Sequence, residues 1–126
     1  MPDTTVLVVD DDPVIQTLLH VNFEMEGYKV VEAMDGVEGL ERARADRPDV
    51  VVLDIMMPKM NGLEVASALK ADPVTAGIPV ILLSAKAQES DIKAGQSTGA
   101  EDYMTKPFDP LDLLDRVAAL LARQRS

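Results

Sequence analysis

The chain has no cysteine, no tryptophan and a single histidine, and only four residues are aromatic: Phe23, Tyr28, Tyr103 and Phe108. Without thiols there is no disulfide framework and no thiolate catalysis, and such a chain suits a reducing compartment. With so few aromatic rings the core must be aliphatic, and a hydrophobic content of 47% over 126 residues is enough for one domain. Positive charge is also scarce. Twelve Lys and Arg face 22 Asp and Glu, a net charge of −10. That balance argues against a direct nucleic-acid surface and against an anionic membrane, and its simplest role is solubility. No apolar run approaches the ~20 residues of a membrane span. The opening Met1-Pro2-Asp3-Thr4-Thr5 is acidic and short, unlike the basic start of a signal peptide. A cytoplasmic protein without membrane contact is the expectation. There is no internal repeat, low-complexity tract or linker.

What the chain does have is a set of short strand-like runs, three of them wholly apolar, that end in polar residues. Val50-Val51-Val52-Leu53 runs straight into Asp54. Its lack of polar alternation marks a strand buried on both faces, as parallel sheets require. Ile55-Met56-Met57-Pro58 follows, and Pro58 has no amide proton with which to continue a central strand. Val6-Leu7-Val8-Val9 ends in Asp10-Asp11-Asp12, Val80-Ile81-Leu82-Leu83 in Ser84, and Asp102-Tyr103-Met104-Thr105 in Lys106-Pro107. Tyr28 to Ala33 reads as a further strand.

Helices fill the intervals. Asp12 as N-cap with Pro13 at the first helical position opens one, with Val14, Ile15, Leu18, Leu19 and Phe23 as its stripe and Gly27 as its stop. Asp35 opens the second, with Val37, Leu40 and Ala43 to Ala45 facing inward. Asn61-Gly62 opens the third, with Val65, Ala66 and Leu69 inside and Asp72-Pro73 as its end. Residues 88–98 form a polar fourth helix closed by Gly99 and weakened by Gly95. Asp109-Pro110 starts the last, with Leu111, Leu114, Val117, Ala118 and Leu121 inside, to about Arg123. Five strand–helix alternations predict an α/β domain, a parallel sheet with helices on both faces and right-handed crossovers.

In such a sheet the C-terminal strand ends share one edge, where ligands bind. Asp10, Asp11, Asp54, Ser84 and Lys106 would converge there. Three carboxylates ~5 Å apart repel by roughly 3 kcal/mol per pair at an effective dielectric of ~20. Either a carboxyl group keeps its proton or a divalent cation with hard oxygen ligands offsets the repulsion, and Mg²⁺ suits such a site. A nucleophilic carboxylate with a metal, an ammonium and a hydroxyl donor beside it has the parts for accepting a phosphoryl group.

These blocks resemble the receiver domain of bacterial response regulators. They are residues 6–12, Leu53 to Pro58, Asn61-Gly62-Leu63-Glu64, Val80 to Lys86, and Asp102 to Phe108. The resemblance spans residues 4–123, with no output domain expected in this chain, and implies a flavodoxin-like, doubly wound (βα)5 fold with strand order 2-1-3-4-5. It implies Asp54 as phosphoacceptor in a two-component system. Asp11, Asp54 and the main-chain carbonyl of Met56 would bind Mg²⁺ directly, with Asp10 holding metal-bound water or assisting. Ser84 and Lys106 would grip the phosphoryl oxygens. Tyr103 would be the switch aromatic coupled to Ser84, and Lys106–Pro107 a cis peptide. The donor would be a sensor histidine kinase or histidine phosphotransfer protein. A downstream effector, or a second copy, would read the face made by the fourth helix, fifth strand and last helix. Met56 and Lys86, each two positions beyond a site residue, would tune dephosphorylation, and Lys59 departs from the small residue frequent after Pro58.

The same acids also allow a Mg²⁺-dependent phosphohydrolase with an aspartyl-phosphate intermediate. Met56, where such enzymes commonly carry a second acid, counts against it, so a switch rather than a turnover enzyme is expected. A non-phosphorylated interaction module is disfavoured by the complete acid, hydroxyl and Lys set. Asp12 reads as a cap, His20 as an ordinary helix residue rather than a phosphodonor, Met56, Met57 and Met60 as packing, and Glu38, Glu41, Arg42, Arg44 and Arg47 as a solvated helix face.

Overall fold

The computed structural model describes residues 4–57, 59–86 and 88–125. Residues 1–3, whose acidic character entered the targeting argument, and Pro58, expected to end a strand, lie outside them. Strands β1 (Thr5–Val9), β2 (Lys29–Ala33), β3 (Val50–Asp54), β4 (Val80–Ser84) and β5 (Asp102–Thr105) alternate with helices α1 (Pro13–Met25), α2 (Gly36–Asp46), α3 (Gly62–Ala71), α4 (Glu89–Gln96) and α5 (Pro110–Arg125). The sheet runs β2-β1-β3-β4-β5 and every pair is parallel. This is the flavodoxin-like order expected.

Strand alternation divides the core in two. Val6, Val8, Val50, Val52, Ile81 and Leu83 point to one face and pack with Leu19 and Phe23 of α1 and with Leu113, Val117 and Leu120 of α5. Leu7, Val9, Val51, Leu53, Val80 and Leu82 point to the other and pack with Ala43 of α2 and Val65, Ala66 and Leu69 of α3. All five residues of β3 are buried, as are all five of β4. Each fully buried Val, Leu or Ile side chain contributes roughly 1.5–3 kcal/mol.

Three helices bury part of the expected stripe, Leu19 and Phe23 of α1, Ala43 of α2 and Leu114, Val117 and Leu121 of α5, but turn other members of it outward. In α1, Val14 is 71% exposed and Leu18 38%, while Gln16, Leu19 and Phe23 turn inward. In α2, Val37 and Ala45 lie outside and the inner stripe is Gly36, Gly39 and Ala43. The reason is proximity: a Cβ on Gly39 would stand 2.9 Å from Val9 Cγ1, so the strip against β1 must be small. In α5, Leu113, Leu114, Val117, Leu120 and Leu121 are buried, whereas Leu111 is 65% exposed and Ala118 faces solvent. At 100° per residue, Leu111 sits 200° from Leu113, on the opposite side. The fourth helix is shorter than residues 88–98 and buries only Gly95 among its described residues.

Candidate functional site

β1 delivers Asp10 and Asp11 to the C-terminal edge of the sheet. Asp10 N–H donates to Ala33 C=O at 3.1 Å, extending the ladder by one residue. Asp10 Oδ1 accepts from Asp12 N–H at 2.9 Å, which curls the loop back toward α1. Asp12 caps that helix, its Oδ1 accepting from Val14 N–H at 2.9 Å. Asp10 is 1% and Asp54 4% exposed, while Asp11 is exposed.

Asp54 is the last residue of β3. A carboxylate oxygen of each of Asp10, Asp11 and Asp54 lies within 4.8 Å of the others. Lys106 reaches in from the end of β5, its Nζ 3.2 Å from Asp10 Oδ2 and 3.2 Å from Asp54 Oδ1. Lys106 N–H donates to Ser84 C=O at 2.8 Å, fixing the two strand ends together, and the Lys106–Pro107 bond is cis. Ser84 is 1% exposed, and its Oγ accepts from Lys86 N–H at 3.1 Å. Register sets Asp54 beside Leu83, so Ser84 lies one residue further along the neighbouring strand. Tyr103 is half-buried; its hydroxyl donates to Lys86 C=O at 2.8 Å, and its ring and Ser84 line one small cavity with Ile55, Leu63 and Ala94. Met56 is 54% exposed in the loop after Asp54.

The electrostatics follow from this packing. Burial, and then the charge of Asp10, push the Asp54 carboxyl up to about 6, against the pull of Lys106. For Lys106 burial works toward lower pKa, but Asp54 and Asp10 outweigh it and hold the ammonium above its ordinary value. One ammonium thus pairs with two of three clustered carboxylates, Asp10 and Asp54, with Asp11 beside them. Hard oxygen donors, clustered, partly open to solvent and in excess of the local positive charge, fit a Mg²⁺ ion that keeps several waters.

The comparisons agree with this architecture. The family model for the response regulator receiver domain matches residues 6–118. Among curated proteins, the DNA-binding dual master transcriptional regulator RpaA of Synechocystis is 47% identical over 94% of this chain and 49% of its own length. The alkaline phosphatase synthesis transcriptional regulatory protein PhoP of Bacillus subtilis is 46% identical over 94% of this chain and 48% of its own. The chain spans about half the length of the curated relatives it matches. Among solved structures, the receiver domain of Francisella response regulator 1452 superposes with a TM-score of 0.90 at 36% identity, covering 96% of this chain and 98% of that one. Chemotaxis protein CheY4 of Vibrio cholerae gives 0.88 at 30% identity, covering 94% and 98%. The chain belongs to the response regulator receiver domain family of two-component systems.

Sequence reasoning brought Asp10, Asp11, Asp54, Ser84 and Lys106 to one edge; the four charged groups meet, and Ser84 stands at the adjoining strand end, joined to Lys106 through its main chain, with its hydroxyl accepting from Lys86 N–H. That reasoning missed three residues that shape the site. Gln16 is 3% exposed on the buried stripe of α1; a lone amide in phase with Leu19 and Phe23 was the available signal. Gly62 lies so close that an added Cβ would stand 2.3 Å from Asp54 C=O. Gly95, read only as a weak point of its helix, is where the Tyr103 ring rests, since a Cβ there would stand 2.7 Å from Tyr103 Cδ2. Nothing in a linear sequence shows either close approach.

Proposed function

We propose that Asp54 accepts a phosphoryl group from a sensor histidine kinase or histidine phosphotransfer protein, and that the product switches a partner-binding face. The observation that carries this is the Lys106 ammonium held 3.2 Å from both Asp10 and Asp54 at the open edge of the sheet, with Asp11 beside them. An Asp54 oxygen attacks phosphorus in line, the bond to the donor's imidazole nitrogen breaks, and its electron pair leaves with that nitrogen. Asp11, Asp54 and the Met56 main-chain carbonyl would hold Mg²⁺, with Asp10 assisting. Bound there, the ion would neutralise charge on the transferring oxygens. Lys106 and the Ser84 hydroxyl take the remaining phosphoryl oxygens. Tyr103 then follows Ser84, and the α4-β5-α5 face changes for an effector or a second copy.

This reading makes the chain a switch and not a turnover enzyme; the residue two positions after Asp54 is Met56, an exposed thioether rather than a second acid. Among the described residues no helix is long and apolar enough to cross a membrane. The names of some relatives include DNA binding. With a net charge of −10 on this chain, we place any nucleic-acid contact of such a protein outside residues 4–123. Intact mass before and after acetyl phosphate with Mg²⁺ tests the assignment. One added phosphoryl group on wild type and none on Asp54→Asn is the expected result; equal labelling of both overturns it.

A further inference from the structure

We infer that Gln16 is a positioning residue for the acid pair, setting the height of the Asp10–Asp11 loop through its side-chain amide. The inference rests on the reading that these acids hold a divalent cation. Gln16 Nε2 lies 3.1 Å from Val8 C=O, 3.0 Å from Asp10 C=O and 2.8 Å from Ala33 C=O. One amide group thus ties together the end of β1, the end of β2 and the first residue of the acidic loop. Ala33 C=O also accepts from Asp10 N–H, so Asp10 is held on both sides of its own α-carbon, at N–H through Ala33 and at C=O through Gln16. Its side chain is then free to spend one oxygen on Asp12 N–H and the other on Lys106.

The chemistry of the amide makes this arrangement one-directional. Three carbonyl oxygens converge on Nε2, so rotating the amide by 180° would set oxygen against oxygen. Gln16 Oε1 is buried and meets no donor among the described residues. An unpartnered buried acceptor lowers stability; what the amide supplies in return, and a Leu or Met beside Leu19 and Phe23 would not, is a donor to three main-chain carbonyls. Two of the amide's three partners, Val8 C=O and Asp10 C=O, lie at the end of β1 that carries Asp10 and Asp11, and the third, Ala33 C=O, also holds Asp10 N–H. The amide's hydrogen bonds thereby fix the backbone from which Asp10 and Asp11 project.

Three measurements on the purified full chain test this. Gln16→Met keeps the side-chain length and removes the donor; Leu19→Ala, on the same buried face, removes packing and no hydrogen bond. Gln16→Met is expected to weaken Mg²⁺ binding about 10-fold or more by calorimetric titration. In metal-free protein its Asp11 and Asp12 amides should exchange with deuterium about 10-fold faster, with β3 unchanged. Leu19→Ala should lower the melting temperature and leave both readouts alone. If Gln16→Met behaves like Leu19→Ala, the inference is overturned. Should Gln16→Met fail to fold, the wild-type Gln16 side-chain NH₂ resonances decide: a shift on adding Mg²⁺ supports the role and indifference to it overturns it. Phosphoryl uptake by wild type, scored separately, tells a failure of the phosphoacceptor reading from a failure of this one.

Discussion

Asp54 pays for its position with a carboxyl group that resists ionisation. Its value of about 6 lies above the ordinary 3.8, so the native state holds a proton that the unfolded chain has already released. Stability from this group is therefore present below about pH 4, falls as pH rises to about 6, and is lost above it, by up to roughly 3 kcal/mol. Asp54→Asn removes the penalty. Without Mg²⁺ the variant should gain on wild type through that window and be roughly 1–3 kcal/mol more stable at neutral pH. Urea titrations from pH 4 to 8 check it, and a variant weaker than wild type at pH 7.5 contradicts it. Two glycines make a second prediction at this scale. Gly62→Ala sets a Cβ against the rigid Asp54 carbonyl and should cost about 2 kcal/mol or more, with slower phosphoryl uptake, because backbone must move. Gly95→Ala meets a ring that can turn, so its cost should be smaller, about 1 kcal/mol, and its main signature a changed Tyr103 environment by NMR.

Helix ends and helix–strand links decide how rigidly the loops are held. Asn61 and Glu64 form a reciprocal capping box at the start of α3, just after the Asp54 loop. Asn61→Ala should cost about 1 kcal/mol in thermal or urea unfolding. On α1, His20 Nδ1 lies 2.6 Å from Glu32 on β2, and Nε2 3.2 Å from Glu24. The hydrogen bond to Glu32 leads in raising the His20 pKa above 6.5, against a smaller opposing effect of burial. A raised His contributes stability that is complete below 6.5 and fades as pH climbs through the folded value. His20→Gln should flatten that slope, and stability curves at pH 5.5 and 8.5 would show it. Most of this scale was legible: Asp12, Asp35 and Asn61 announced three helix starts correctly. The edges of the buried faces of α1, α2 and α5 were not: Leu19, Phe23, Ala43, Leu114, Val117 and Leu121 are buried as expected, but Val14, Val37 and Leu111 are exposed, because each helix carries apolar residues on more than one side and only a neighbouring element selects among them.

At the scale of the molecule, the sheet gathers like charge into a cluster of three carboxylates that, on the proposed function, a divalent ion would complete. Mg²⁺ at ten times its dissociation constant should stabilise the chain by about 1.4 kcal/mol, or about 5 °C in melting temperature for a domain of this size. Asp11→Asn should abolish most of that shift. A thermal scan with and without Mg²⁺ measures both, and an equal shift in the variant would exclude Asp11 as a ligand.

The order of five strands and five helices, and the acids, hydroxyl and ammonium at the strand ends, were written in the sequence. Strand periodicity and cap chemistry are local, so the residues themselves carry them. The tertiary structure alone decided where the buried faces of α1, α2 and α5 end, that Gln16 ties two strand ends to the acidic loop, and that Gly62 and Gly95 make room for Asp54 and Tyr103. Those depend on distances between segments remote in the chain, and such distances exist only once the sheet has closed them.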